Sequence, residues 1–109
     1  MEQTFTSTVK GFGRFPNGTN MGTLNFVQAQ DGSYSGSGQG ILTTQDGDTV
    51  TWKIYLLGRS EAGKGRDFSI IKAWTASQKL AWANKTIFAA EGTSDSKTME
   101  FSATGYEWK

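Results

Sequence analysis

Neither cysteine nor histidine occurs in this chain. Without cysteine there is no disulfide framework, no thiolate nucleophile and no thiolate metal site. Without histidine the commonest metal ligand and the commonest general base are missing as well. No metal and no cofactor are therefore expected. A surplus of one charge is also lacking: 11 basic and 10 acidic residues leave +1. That gives too weak a field to gather nucleic acid or anionic lipid. No apolar run approaches the ~20 residues that span a bilayer. The opening Met1-Glu2-Gln3-Thr4-Phe5 carries no charged-then-apolar export pattern, so a cytoplasmic location with no membrane partner is expected. Asn17-Gly18-Thr19 and Asn84-Lys85-Thr86 fit the glycosylation pattern, and in that compartment they are read as chance.

Proline is down to one, Pro16, whereas glycine reaches 14. Glycine without proline would suggest a flexible linker were it not for 7 Phe, 4 Trp and 3 Tyr. Those rings can build a core despite few leucines. A chain of 109 residues then reads as a single domain over residues 1–109.

Turn signals recur at roughly 15-residue intervals, which favours hairpins over crossovers. Asn17-Gly18, Asp31-Gly32 and Asp46-Gly47 tolerate the positive φ of tight hairpin turns. Further loops are expected at Gly58 to Arg66, Thr75 to Gln78 and Gly92 to Asp95. The intervening strands fall at about Thr4–Arg14, Met21–Gln30, Ser33–Gln45, Asp48–Leu57, Asp67–Trp74, Lys79–Glu91 and Lys97–Lys109. The expected fold is all-β: an antiparallel up-and-down meander of seven or eight strands. Residues 76–91 also fit an amphipathic helix through Leu80, Ala83, Ile87 and Phe88. Trp82, Thr86, Ile87 and Phe88 suit a strand, and the turn spacing asks for one.

Two-residue loops set a register. Asp31-Gly32 would pair Gln30 with Ser33, placing Phe26 opposite Ser37 and Leu24 opposite Gln39. Asp46-Gly47 would pair Gln45 with Asp48, placing Ile41 opposite Trp52 and Gln39 opposite Ile54. Opposed residues share a face. Leu24, Phe26, Ile41, Val50, Trp52, Ile54 and Leu56 then form the core, and alternation adds Phe68, Ile70, Trp74, Leu80, Trp82, Phe88, Met99 and Phe101. Gly36, Gly38 and Gly40 would lie on the other face, with Gly38 beneath Tyr55 and Gly40 beside Lys53. Such a row permits strong coiling of the strand.

The segment Gly36-x-Gly38-x-Gly40-Ile41-x-Thr43-x-x-x-Gly47, the run Lys79-Leu80-Ala81-Trp82 and the terminal Tyr106-Glu107-Trp108-Lys109 carry a likeness. Together they resemble a group of small prokaryotic β-barrel proteins of the allene oxide cyclase and calycin-like type. The resemblance implies a closed or nearly closed glycine-rich barrel, of the kind that often holds one small ligand. It supplies no catalytic constellation matching these residues.

Gly58-x-x-x-x-Gly63-Lys64-Gly65 nearly matches the phosphate-binding P-loop, but Gly65 stands where a hydroxyl is needed and a strand follows. A solvated hairpin loop carrying Arg59, Lys64 and Arg66 is the simpler reading. Glu91, Glu100 and Glu107 offer acid groups, yet no two carboxylates stand out as a pair, so no catalytic residue is named and a non-enzymatic role is favoured. Four tryptophans could form a stacking platform; core packing accounts for Trp52 and Trp82 more simply.

Polar residues on the deduced core face are the better lead. The expected ligand-binding set is Gln39, Trp52, Lys72, Trp82 and Asn84, lining one lumen. Burying such groups is costly unless water or ligand satisfies them. Lysine beside an indole suits an apolar or anionic molecule. The expected function is small-molecule binding in the barrel lumen. The alternatives are an interaction module that forms homo-oligomers through sheet edges, and a cofactor-free isomerase or cyclase.

Overall fold

The computed structural model describes residues 2–9, 14–98 and 100–108. Seven strands form one antiparallel sheet in sequence order. They are β1 (Glu2–Val9), β2 (Gly18–Gln28), β3 (Ser33–Thr44), β4 (Thr49–Glu61), β5 (Lys64–Trp74), β6 (Ile87–Asp95) and β7 (Glu100–Trp108). Each strand pairs with the next, and the described edge strands β1 and β7 share no ladder. The sheet nevertheless curls: Phe5 of β1 meets Phe101 of β7 edge to face, ring centroids 6.4 Å apart. The single helical element among the described residues is a 3-10 turn at Ala81–Lys85. Strand was expected from Lys79 onward, and it begins only at Ile87. Leu80 and Ala83 are instead buried in the core, so local packing at the end of the sheet displaces the first half of that strand.

The hairpins correct the register. Ala29 N–H donates to Ser33 O at 2.8 Å and Gly32 N–H to Ala29 O at 3.3 Å, while Gly32 has φ +90°. Thr44 N–H donates to Asp48 O at 2.8 Å, Gly47 N–H to Thr44 O at 2.9 Å, and Gly47 has φ +90°. Both are loops of three residues, a turn followed by a glycine in the left-handed region, rather than two-residue turns. The extra residue shifts β3 by one against both neighbours, which turns every side chain of β3 over. Gly40 therefore opposes Trp52, Gly38 opposes Ile54, and Ile41 opposes Thr51. Ile41, expected in the core, is 49% exposed, and Ser37 and Gln39 are exposed beside it. Asn17-Gly18 makes no tight turn: Gly18 already pairs with Val9 in the ladder. The two-residue turn lies at Ala62-Gly63, with φ of 54° and 83°.

The glycine row thus faces inward, and large side chains cover it. A Cβ on Gly22 would lie 2.7 Å from the Trp52 ring. One on Gly40 would collide with the same ring, and one on Gly38 with Leu24. Trp52 is buried, as expected, and its Nε1–H donates to Asn20 Oδ1 at 3.0 Å. Around it Phe15, Leu42, Val50, Ala73, Leu80, Ala83 and Phe88 form the core. Bare backbone lets strands coil and bulky rings fill the space released. Phe68, Ile70 and Trp74 are corrected to the outer face, being 45%, 50% and 43% exposed. The sequence alternation through β5 was in step, but its phase was set from the wrong side. Met99 lies outside the described residues.

Candidate functional site

The five residues expected to share a lumen are not brought together. Trp52 alone faces inward from the sheet and sits in the core. Gln39, with its strand turned over, lies exposed on the outer wall between Thr23 and Lys53. There it lines a surface depression of about 470 Å³. Lys72 occupies an outer position opposite Lys53 and Ile87. Its ammonium donates to Ala73 O at 2.8 Å and Asn84 O at 2.7 Å, and stands 4.7 Å from the Trp74 ring centre. Two carbonyls and an indole satisfy this cation without any ligand. Trp82 packs edge-on against Phe15 and Phe88 at the end of the sheet, beneath the Arg14 guanidinium at 3.8 Å. Arg14 in turn holds Glu107 at 3.0 Å. Asn84 clamps the backbone of Thr75: Thr75 N–H donates to Oδ1 at 2.7 Å, and Nδ2 donates to Thr75 O at 3.0 Å. Four of the five residues thus have structural work: Trp52 and Trp82 in packing, Lys72 and Asn84 in tethering the chain after β5.

The other end of the sheet carries polar chemistry. Tyr34 lies over Gly58, and the Asp67 carboxylate lies over Gly92, 2.7 Å from where a Cβ would be. Both are half-buried. Burial pushes the Asp67 carboxyl above its ordinary value, and a loose hydrogen bond from the Tyr34 hydroxyl partly offsets this. Tyr34 is raised as well, first by burial and then by the Asp67 charge. The glycines opposite these two side chains leave them room to point inward. Tyr34 also stacks edge-on against Phe26, centroids 6.2 Å apart.

A second feature lies on the outer wall. Arg59 of β4 and Arg66 of β5 stand directly opposite each other. They are equally spaced about Ala62-Gly63, which makes them cross-strand partners once that turn is recognised. Like charges so placed repel. Both are exposed, and among the described residues no salt bridge neutralises either. They border a groove of about 580 Å³. Leu57 and Phe68, 71% and 45% exposed, form its apolar side. Thr93 and Ser102, whose hydroxyls lie 3.1 Å apart, supply donors next to Arg66. Glu91, opposite Phe68, places a carboxylate on this outer surface, and Asp67 also borders the groove. Two guanidinium forks beside an apolar shelf can hold an oxyanion with a hydrophobic body. The sequence suggests solvated loop charges at these arginines; they lie instead on strands, and the turn at Ala62-Gly63 is the signal that aligns them.

No helix among the described residues is long and apolar enough to cross a membrane. No group of three or more metal-ligating side chains occurs among them either. The fold and its groove define an all-β domain with an outward-facing, partly basic cleft. Compared with protein-family models, curated proteins and solved structures, the chain matches none.

Proposed function

We propose that this chain is a small-molecule binding domain whose ligand is an oxyanion with an apolar body, held in the groove between Arg59, Arg66, Leu57 and Phe68. The reading keeps the ligand chemistry expected from sequence and moves its site from the lumen to the outer wall. One observation carries it: two arginines directly opposed on a ladder, with no salt bridge to either among the described residues. Such a pair costs stability in the free protein, and an anion spanning both forks would recover it. In the same reading the curled sheet serves as a calycin-like barrel whose closure rests on side chains such as Phe5 and Phe101, with the interior committed to packing.

The test is a thermal-shift series with benzoate, hexanoate and inorganic phosphate. Benzoate and hexanoate should raise the melting temperature more than phosphate, because only they can cover Phe68 and Leu57. Arg66→Gln and Arg59→Gln should each abolish the shift while leaving the free protein as stable as, or slightly more stable than, the parent. No shift with any of the three probes, or equal shifts in the parent and Arg66→Gln, would refute the site.

A further inference from the structure

Beside the groove, the outer wall of β4–β7 carries a continuous apolar row. Tyr55 pairs with Ile70, Ile70 with Ala89, and Ala89 with Tyr106. In the next row Ile87 pairs with Trp108. Tyr55, Ile70, Ile87, Tyr106 and Trp108 are 63%, 50%, 39%, 41% and 65% exposed. Aromatic side chains cover about 150–250 Å² each when buried, so these exposed shares come to on the order of 500 Å². A standard interface takes about 800 Å² from each partner, a little over half of it apolar. The row therefore holds the apolar share of one such interface. Single exposed hydrophobic residues need no explanation, whereas a contiguous surface of this size does.

The features around the row fit a copy of the same chain. Ala89, only 3% exposed, lies beneath the row, so its surface is formed by Tyr55, Ile70 and Tyr106. The Lys72 ammonium, which would otherwise cross the row, is drawn aside to the carbonyls of Ala73 and Asn84.

We propose that two copies of this chain pack face to face through this row, on a two-fold axis running along the strands between β5 and β6. That operation brings Ile70 of each copy over the Ala89 position of the other, so the two exposed Ile70 side chains pack side by side about the axis. It sets Tyr55 against Tyr106, and Lys53 over Trp108 where the ammonium can lie on the indole face. Each contact occurs twice, as an isologous interface requires. The proposal goes beyond ligand binding; the same operation lays Leu57 and Phe68 over Thr104 and Glu91 of the other copy, so a dimer and a ligand in the groove would compete for that part of the face.

The test is sedimentation velocity at about 100 µM protein, a concentration at which a micromolar interface is populated. The parent should run as a dimer, and Ile70→Asp and Tyr106→Ser as monomers with unchanged far-ultraviolet spectra. Val27→Asp, at a residue 73% exposed on β2 outside the row, should remain dimeric, as should Arg66→Gln. Because the chain has no cysteine, a mixture of Lys53→Cys and Trp108→Cys, both exposed positions that the operation brings face to face, should give a mixed cross-link with a short bismaleimide. A monomeric parent, a dimer that persists in both row variants, or dissociation by Val27→Asp would overturn the proposal.

Discussion

Replacing Gly40 by alanine tests the inward glycine row through the sign of its effect. Gly40 is the direct cross-strand partner of Trp52, and an added Cβ would collide with the Trp52 ring and with Met21 O. Overpacking of a filled core costs about 1–3 kcal/mol. Alanine also restricts the unfolded chain, which returns about 0.4–1 kcal/mol. The net expectation is a loss of about 1–2 kcal/mol, or roughly 5–10 °C in melting temperature for a domain of this size. Had the hairpins used two-residue loops, Gly40 would face solvent and only the favourable term would remain, so the variant would be stabilised. The assay is urea unfolding followed by circular dichroism, repeated in a Trp52→Ala background. That change alone should cost about 3–5 kcal/mol. With the indole gone, the remaining obstacle to Gly40→Ala is the Met21 carbonyl, and the cost of the second substitution should fall by more than ~0.5 kcal/mol, the coupling expected of residues in contact. A Gly40→Ala protein that melts at or above the parent, or that loses the same amount in both backgrounds, would refute the inward placement.

The remaining expectations concern a turn, a carboxylate and an amide clamp. Ala62 carries φ 54°, a left-handed conformation that costs a residue with a Cβ about 1–2 kcal/mol; Ala62→Gly should raise the urea midpoint by about 1 kcal/mol of stability without changing the slope, and an unchanged midpoint would count against the strain. Asp67 is raised above its ordinary value of 3.8 by burial, so the folded state binds more protons than the unfolded one. Its contribution is complete below that ordinary value and is lost as pH rises through the folded value. Asp67→Asn should therefore flatten stability across mildly acidic pH, and Tyr34→Phe, which removes the hydrogen bond that lowers the carboxyl, should extend the loss to higher pH; equal pH profiles in all three proteins would exclude this account. Asn84→Ala removes both hydrogen bonds to Thr75 and should cost about 1–2 kcal/mol, with faster amide exchange at Thr75 as the local readout.

Much of the fold is legible in the chain because its strand signals are local. Alternation and Asp-Gly pairs place β2, β3 and β4 and fix their order as hairpins. The phase is not legible, since Asp-Gly serves both a two-residue turn and a three-residue loop that ends in a left-handed glycine. Choosing the wrong one leaves Trp52 inside but turns Gly38 and Gly40 out and Ile41 in. A glycine row facing large rings across both ladders, Gly22 and Gly40 against Trp52, is the clue that settles it: bare positions go where bulky partners need the room. The 3-10 turn at Ala81–Lys85 has a different cause. Leu80 and Ala83 complete a core around Phe15 and Phe88; their helical spacing is present in the sequence, whereas the packing against the distant Phe15, which favours it over a strand, is not.

Two phase errors, in β3 from the Asp-Gly loops and in β5 from the turn at Ala62-Gly63, explain why the candidate site is legible only in part. Gln39 and Lys72 were placed inside because their strands were turned over, and a polar group wrongly assigned to a core looks like a ligand-binding group. Once each is returned to the outer face, the need for a lumen ligand disappears: Gln39 is solvated, and Lys72 finds two carbonyls within 2.8 Å. What then remains unbalanced lies outside. Arg59 and Arg66 oppose each other across Ala62-Gly63, and no cation-rich run marks them in the sequence, since they are seven positions apart. Their meaning appears only when the turn between them is fixed, because pairing creates the repulsion that a bound anion would relieve. The chemistry expected of the ligand therefore survives the correction of the register, while the wall that holds it changes sides.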